Sequence, residues 1–184
     1  MKILGLTYNS FPLLKGDSAL LVNRKPFFVP DGVTRLIAYP ALALRVCRLG
    51  KNIAPRFADR YFDAVALALD IQAANLLDEL SAQGAPWTAA ANLDGSFPIG
   101  TFLPVRSEDF QTCFYLNEAP LPVLQCSFSA IQEAVSRLSQ ATTIRQGDIL
   151  YVPLSHEPIE LHVEDVVTAR LEGEAQDNLF CRIK

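Results

Sequence analysis

"IAYPALALRV", residues 37–46, is apolar almost throughout, with Pro40 inside it and Arg45 near its end. It carries no polar stripe of helical period, so it reads as a strand buried on both faces. Downstream, "DAVALALD" at residues 63–70 sets Val65, Leu67 and Leu69 in alternation with Ala64, Ala66, Ala68 and Asp70. A period of two is a strand signal, and it places Asp70 on the face lined by alanines. A carboxylate closing an apolar run must be hydrogen-bonded, metal-bound or at the surface. A strand-end or helix-capping role and a ligand role both stay open for Asp70.

Prolines are scattered along the chain and cut it into short elements, which predicts a strand-rich domain with few helices. "MKILGLTY" is a first strand, and "SALLV" and "PFFVP" around the turn "NRK" read as a hairpin. "IQAANLLDELSAQG" puts Ala73, Leu76, Leu77 and Leu80 on one helical stripe that stops at Gly84. "SAIQEAVSRLSQ" is a second helix, with Ser129 as cap and Gln132 reaching back in a capping box. "RQGDILYVPL" is a turn feeding a strand, and "IELHVEDVVTARLE" alternates as an exposed strand does.

A chain of 184 residues with 50% hydrophobic content and a formal net charge of -4 fits one domain, residues 1–184, and excludes a basic nucleic-acid binder. It has no apolar run near the roughly 20 residues that span a bilayer, and no signal-peptide pattern. Cys47, Cys113, Cys126 and Cys181 are widely spaced, as reduced thiols of a cytoplasmic protein would be. Arg45, Arg48, Lys51, Arg56 and Arg60 make a solvated basic loop or, less simply, an anion site. The two histidines are His156 and His162. On a strand His162 shares a face with Glu160 and Glu164, which reads as a polar solvent face in preference to a metal site. "GSFPIG" lacks a lysine and a following helix, so it is a turn and not a phosphate cradle.

The order of segments adds a resemblance. "LKGDSALL", "PFFVPD", "RLGKNIAPRFADRYFDAVALALD", "GAPWTAAANLDGSFPIG" and "IRQGDILYVPL" together resemble the fumarylacetoacetate hydrolase family over nearly the whole chain. The likeness is greatest to its short members, which include acylpyruvate hydrolases, oxaloacetate decarboxylases and 2-hydroxyhepta-2,4-diene-1,7-dioate isomerases. It implies an α+β, strand-rich fold, with mixed β-sheets folded into a partly open roll and a few short helices. It also implies a homodimer. Members hold Mg2+ or Mn2+ on three carboxylates, two from a Tyr-Glu-x-Glu-Leu strand and one from a later aspartate. The metal binds a 2-oxo acid and stabilises its enolate. A lysine after a Pro-Trp motif assists, and a mobile N-terminal lid brings a His–Glu pair.

Carried over by position, the two glutamates fall at Pro40 and Leu42, and Asp70 is the one retained metal-ligand position. The assisting lysine aligns with Ala91. The Ala-Arg-Asp motif reads Ala74, Asn75, Leu76, and the Thr-Gly-Thr-Pro turn reads Tyr151, Val152, Pro153, Leu154. Gly5-Leu6-Thr7-Tyr8-Asn9 leads almost directly into Lys15-Gly16-Asp17-Ser18-Ala19, so the lid is deleted. One aspartate holds a hard divalent ion too weakly, and no metal cofactor is expected. The resulting expectation is a catalytically silent homologue with no catalytic residue, one that binds a small acidic ligand or a partner. The alternative is a 2-oxo acid hydrolase, decarboxylase or isomerase with an altered site that uses Asp70, Glu79 or the 160–164 face.

Overall fold

The computed structural model describes residues 1–7, 11–22 and 24–184. The chain runs through Ile3–Leu6 (β1), Pro12–Lys15 (β2), Leu20–Leu21 (β3), Leu36–Val46 (β4) and Phe62–Ala73 (β5). Ala74–Ala82 (α1) and Thr88–Ala91 (α2) follow, then Phe97–Pro98 (β6) and Leu103–Pro104 (β7). Next come Phe110–Leu116 (β8), Ala119–Pro120 (β9), Leu124–Cys126 (β10) and the helix Phe128–Ala141 (α3). Ile149–Pro153 (β11), Ile159–Leu161 (β12), Val166–Leu171 (β13) and Leu179–Arg182 (β14) complete it.

The fold is α+β and strand-rich, with open mixed sheets. β4 and β5 pair antiparallel from Leu36 opposite Ala73 to Val46 opposite Phe62, so the two apolar runs form the centre of one sheet. Its order is β2-β1-β11-β4-β5-β7, with β12 also on β4. The β1–β11 contact is parallel and makes the sheet mixed. A second sheet has the order β10-β8-β13-β14, with β9 on β8, and β3 pairs with β6.

The pleat gives the central strands two different faces. Leu42, Leu44, Val65, Leu67, Leu69 and Ile71 point to the main core, which they share with Ile131, Val135 and Leu138 of α3. Ala41, Ala43, Ala66 and Ala68 point the other way, into a thin layer with Phe97 and Tyr151. The alternation seen in "DAVALALD" is therefore the division between these two cores.

Several local expectations need revision. Residues 71–73 stay in β5 because Ile71, Gln72 and Ala73 keep their β4 partners, so α1 starts at Ala74. The cap of α3 is Ser127, whose hydroxyl accepts from the Ala130 N–H at 3.1 Å, two residues ahead of the expected Ser129. The hairpin at residues 18–30 does not form among the described residues: β3 pairs with β6 and Phe27 bridges to Ile183. Asn23 of its turn, like Tyr8–Ser10 of the expected lid deletion, lies outside the described residues. The 159–172 run is two strands, because the His162 N–H turns onto the Asp165 carboxylate at 2.7 Å and Glu164 takes a φ of 76°. All four cysteines are free thiols, and burial pushes Cys126 up to about 11 and Cys181 up to about 12. No helix among the described residues is long and apolar enough to cross a membrane.

The β1–β11 contact is pinned at its start by Asp148. Its carboxylate accepts the Lys2 ammonium at 2.6 Å, the Lys2 N–H at 3.0 Å and the Arg145 N–H at 2.9 Å. Burial alone would raise this carboxyl, but the Lys2 hydrogen bond and the two N–H groups hold it below its ordinary value. A lowered folded-state value stabilises above the unfolded value of about 4 and is lost as pH falls through the folded one. Asp148→Asn is expected to cost about 2 kcal/mol at neutral pH. It should also flatten the loss of stability below about pH 4, read as urea midpoints across pH. A variant with the wild-type acid limb and midpoint would refute this.

Candidate functional site

The alanine face is shallow because its Cβ atoms are small, and longer side chains from neighbouring strands lie across it. Lys15 ends β2 pointing inward, and Tyr151 lies on β11 opposite Gly5 of β1. Tyr39 stands directly opposite Asp70 on β4 and β5, which puts the two on one face. α2 and Ser96 cover this layer, with Ala91 and Ser96 both fully buried.

Asp70 is the hub. Its Oδ2 accepts the Gln72 amide at 2.9 Å and the Tyr151 hydroxyl at 3.1 Å. The Lys15 ammonium lies 2.6 Å from Oδ1, with the two side chains 0% and 5% exposed. Oδ1 is buried and has no hydrogen bond of good geometry among the described residues. Coulomb attraction depends on distance more than on lone-pair direction, so the contact stands as an ion pair. Lys15 also donates to the carbonyls of Ile71 at 3.3 Å and Ala91, and to the Ser96 hydroxyl at 3.2 Å. Burial, then the charge and hydrogen bond of Asp70, push the Tyr151 phenol well above its usual value. Tyr39 is raised as well, by burial first and the Asp70 charge second. Both phenols stay protonated at neutral pH.

Above this hub is an open cavity of about 210 Å³, lined by Leu6, Thr7, Tyr39, Asp70, Gln72, Leu77, Trp87 and Pro153. That is below the ~300–1,000 Å³ of pockets for drug-sized ligands, and suits a small molecule. Its lining is mostly apolar, with polar groups on Thr7, Tyr39, Asp70 and Gln72. A second cavity, whose lining includes Leu103, Pro104, Asp109, Gln111 and Glu172, carries the long Arg106–Glu108 and Arg106–Glu174 pairs at 3.8 and 3.7 Å.

The structure sorts the residues singled out from sequence. Asp70 lines the cavity, but in the interior of β5 and not at a strand end. Pro40 and Leu42 occupy the opposite face of β4 from Asp70. The positions that share the face of Asp70 are Tyr39 and Ala41, so glutamates at Pro40 and Leu42 would point away from it. Ala91 does reach the hub, through its carbonyl on Lys15. Glu79 is exposed on α1, where its carboxylate accepts from Gln83. The expected face of Glu160, His162 and Glu164 is broken by the turn at 162–165. The basic residues disperse: Arg45 pairs with Asp63 at 2.8 Å, Lys51 reaches the Gln140 carbonyl, and Arg56 and Arg60 stack on Phe57. Sequence reasoning missed Lys15, Tyr39 and Tyr151. For Tyr39 a signal existed, since it alternates with Ala41 and Ala43 and so shares the alanine face.

A divalent cation does not fit this donor set. Hard cations take six or more oxygens, several of them carboxylate. Asp70 is the one carboxylate of the hub, and its oxygens are engaged by Lys15, Gln72 and Tyr151. Among the described residues no group of three His, Cys, Asp or Glu side chains comes together.

A family model described as the fumarylacetoacetate (FAA) hydrolase C-terminal domain matches residues 8–176. The mitochondrial oxaloacetate tautomerase of Rattus norvegicus is 30% identical, over 88% of this chain and 79% of that protein. The mitochondrial oxaloacetate tautomerase of Caenorhabditis elegans is 34% identical over 50% of this chain. That match spans 43% of the nematode protein, less than half its length. Among solved structures, a fumarylpyruvate hydrolase from Pseudomonas aeruginosa, in complex with Mn2+ and pyruvate, superposes with a TM-score of 0.86. It is 17% identical, with 100% of this chain and 89% of that one covered, and at that identity it shows the fold alone.

These relatives overturn the expectation of a catalytically silent homologue, and with it the leaning against an enzyme. They are named for a tautomerase activity. Missing metal-binding glutamates do not by themselves mean missing chemistry. Asp70 instead sits in a hydrogen-bonded, ion-paired setting assembled from strands that were read as scaffold.

Proposed function

The chain belongs to the fumarylacetoacetate hydrolase family, and from that premise we propose that it is an enzyme interconverting the keto and enol forms of a small 2-oxo acid at the Asp70 cavity. The observation that carries this reading is the ion-paired Asp70 carboxylate in the lining of a largely apolar cavity, directly opposite the protonated phenol of Tyr39. A carboxylate held in place can remove the proton from the carbon next to the keto group. The electron pair of that C–H bond moves to form the enol double bond, and the keto oxygen takes on negative charge. Tyr39 supplies a hydrogen bond to that oxygen, a fixed donor aimed at charge that develops in the transition state. Solvent protonates the oxygen, and Asp70 returns its proton to solvent, so no proton is consumed overall.

Leu6, Leu77, Trp87 and Pro153 give the cavity apolar walls, which lower the local polarity beside these groups. A 2-oxo acid enolate also arises in acylpyruvate hydrolysis and in oxaloacetate decarboxylation, there by breaking a C–C bond. Tautomerisation, however, needs only the proton step that Asp70 and Tyr39 supply.

The test is the disappearance of the enol absorbance of oxaloacetate, followed with and without the protein. Wild type should accelerate it, and Tyr39→Phe should lower kcat by about 100-fold through loss of one enolate donor. No acceleration with oxaloacetate, pyruvate or an acylpyruvate would sink the reading.

A further inference from the structure

The cavity beside Asp70 crosses four neighbouring strands. Leu6 comes from the end of β1, Pro153 from the end of β11, Tyr39 from β4 and Asp70 from β5, which is the order of these strands in the sheet. After β5 the chain adds Leu77 of α1 and Trp87, the residue before α2. Apolar side chains therefore come both from the strands on the β11 side of Tyr39 and from the helical segment that follows β5. A substrate whose keto group lies at Tyr39 and Asp70 extends toward one apolar set or the other. Leu6 is buried, whereas Leu77 and Trp87 are half-buried and have surface left for a ligand.

The far end of such a substrate meets no cation. Among the described residues no lysine, arginine or histidine lines the cavity. Residues 8–10 and 23, outside the described set, are Tyr, Asn, Ser and Asn, and none of these carries a positive charge. Lys15, which contacts Asp70, is fully buried and is not part of the lining. Thr7 and Gln72 are neutral, and Gln72 already donates its amide to Asp70. A carboxylate that leaves water for apolar surroundings without a cation or several hydrogen bonds loses hydration that nothing replaces. A methyl group in the same place gains by leaving water.

We infer that this cavity selects 2-oxo acids with one carboxylate and a short apolar tail over those with a second carboxylate at the far end, and that Leu77 is a residue that sets the choice. The inference rests on the 2-oxo acid reading and narrows its substrate class. The tail is short because the cavity, at about 210 Å³, lies below the range that takes drug-sized ligands. Oxaloacetate, with a carboxylate at each end, is then turned over less readily than the monocarboxylic acid of the same length.

A matched pair of acids tests it on the full chain. 2-Oxopentanoate and 2-oxoglutarate share one carbon skeleton and differ in a terminal methyl against a terminal carboxylate. Trp87 is the one tryptophan of the chain and lines the cavity, so its fluorescence reads occupancy without turnover. 2-Oxopentanoate should bind at least about tenfold more tightly than 2-oxoglutarate. Turnover is read in D2O by NMR, as the C3–H bond breaks and a deuteron from solvent takes the place of the proton. The ratio of kcat/KM should favour 2-oxopentanoate by a similar factor. Leu77→Arg adds a cation to the lining and should move both ratios at least about tenfold toward 2-oxoglutarate. Equal or tighter binding of 2-oxoglutarate by wild type overturns the inference, and so does a folded Leu77→Arg variant with unchanged ratios. If Leu77→Arg does not fold, the wild-type ratios decide. If wild type separates the two acids by binding but exchanges the C3 proton of neither, the functional reading falls and the selectivity stands. Binding of neither acid overturns both.

Discussion

Asp70→Asn should reduce turnover of a 2-oxo acid by about 10²–10⁴-fold, the usual contribution of a positioned acid–base group. The amide has nearly the same shape, so the change isolates the proton acceptor from the packing around it. A second effect follows from the partner. Lys15 is fully buried and would lose its carboxylate partner. Breaking a buried ion pair on one side costs about 3–5 kcal/mol, because the remaining charge stays desolvated. The urea midpoint should therefore fall along with the rate. Adding Lys15→Met to Asp70→Asn should recover part of that stability, since a neutral pair leaves no orphan charge. Recovery of stability without recovery of rate separates the fold role of the pair from its chemical role. Wild-type turnover in the single Asp70→Asn variant would end the case for this site.

The second large effect is expected at Gly5. A Cβ placed there would stand 1.9, 2.1 and 2.3 Å from three carbons of the Tyr151 ring. The ring cannot yield easily, because it is 1% exposed and packs on Phe97 with centroids 4.8 Å apart. Gly5→Ala must push Tyr151 off its seat and take its hydroxyl from Asp70. Overpacking costs about 1–3 kcal/mol and a stranded buried acceptor about 1–3 more. The sum is about 2–6 kcal/mol, measured as a shift in urea midpoint, with lowered turnover in the folded remainder. Tyr151→Leu in the same chain should recover part of the stability by vacating the space. Equal stability of Gly5→Ala and wild type would show that the ring is not seated against Gly5.

How much of this could be read in the sequence varied with distance along the chain. Alternation within "DAVALALD" gave both the strand and the alanine side of Asp70, because a period of two needs only neighbours in sequence. Tyr39 was open to the same reasoning, but the search for glutamates at Pro40 and Leu42 drew it one residue away. Lys15 and Tyr151 were beyond such reasoning. Each enters the site through strand register with β1, and nothing in "PLLK" or "ILYVP" says which side faces Asp70. The start of α1 and the failed hairpin err for a related reason: pairing with β4 and β6 outweighed local preference. The misjudged function followed from the missing register, since a site stripped of glutamates looks empty until the lysine that crosses it is placed.

The parallel contact of β1 with β11 also governs when the site can exist during synthesis. Ile3 must wait for Ile149, so the seat for Tyr151 is built from strands far apart in the order of synthesis. At about 5–20 residues per second, β1 spends roughly 7–30 s without that partner. Such long-range pairing slows folding and leaves a strand edge open to other chains. The Asp70 hub is therefore among the last parts of the molecule to form, and nascent chains halted before β11 will lack it and expose an unpaired strand edge.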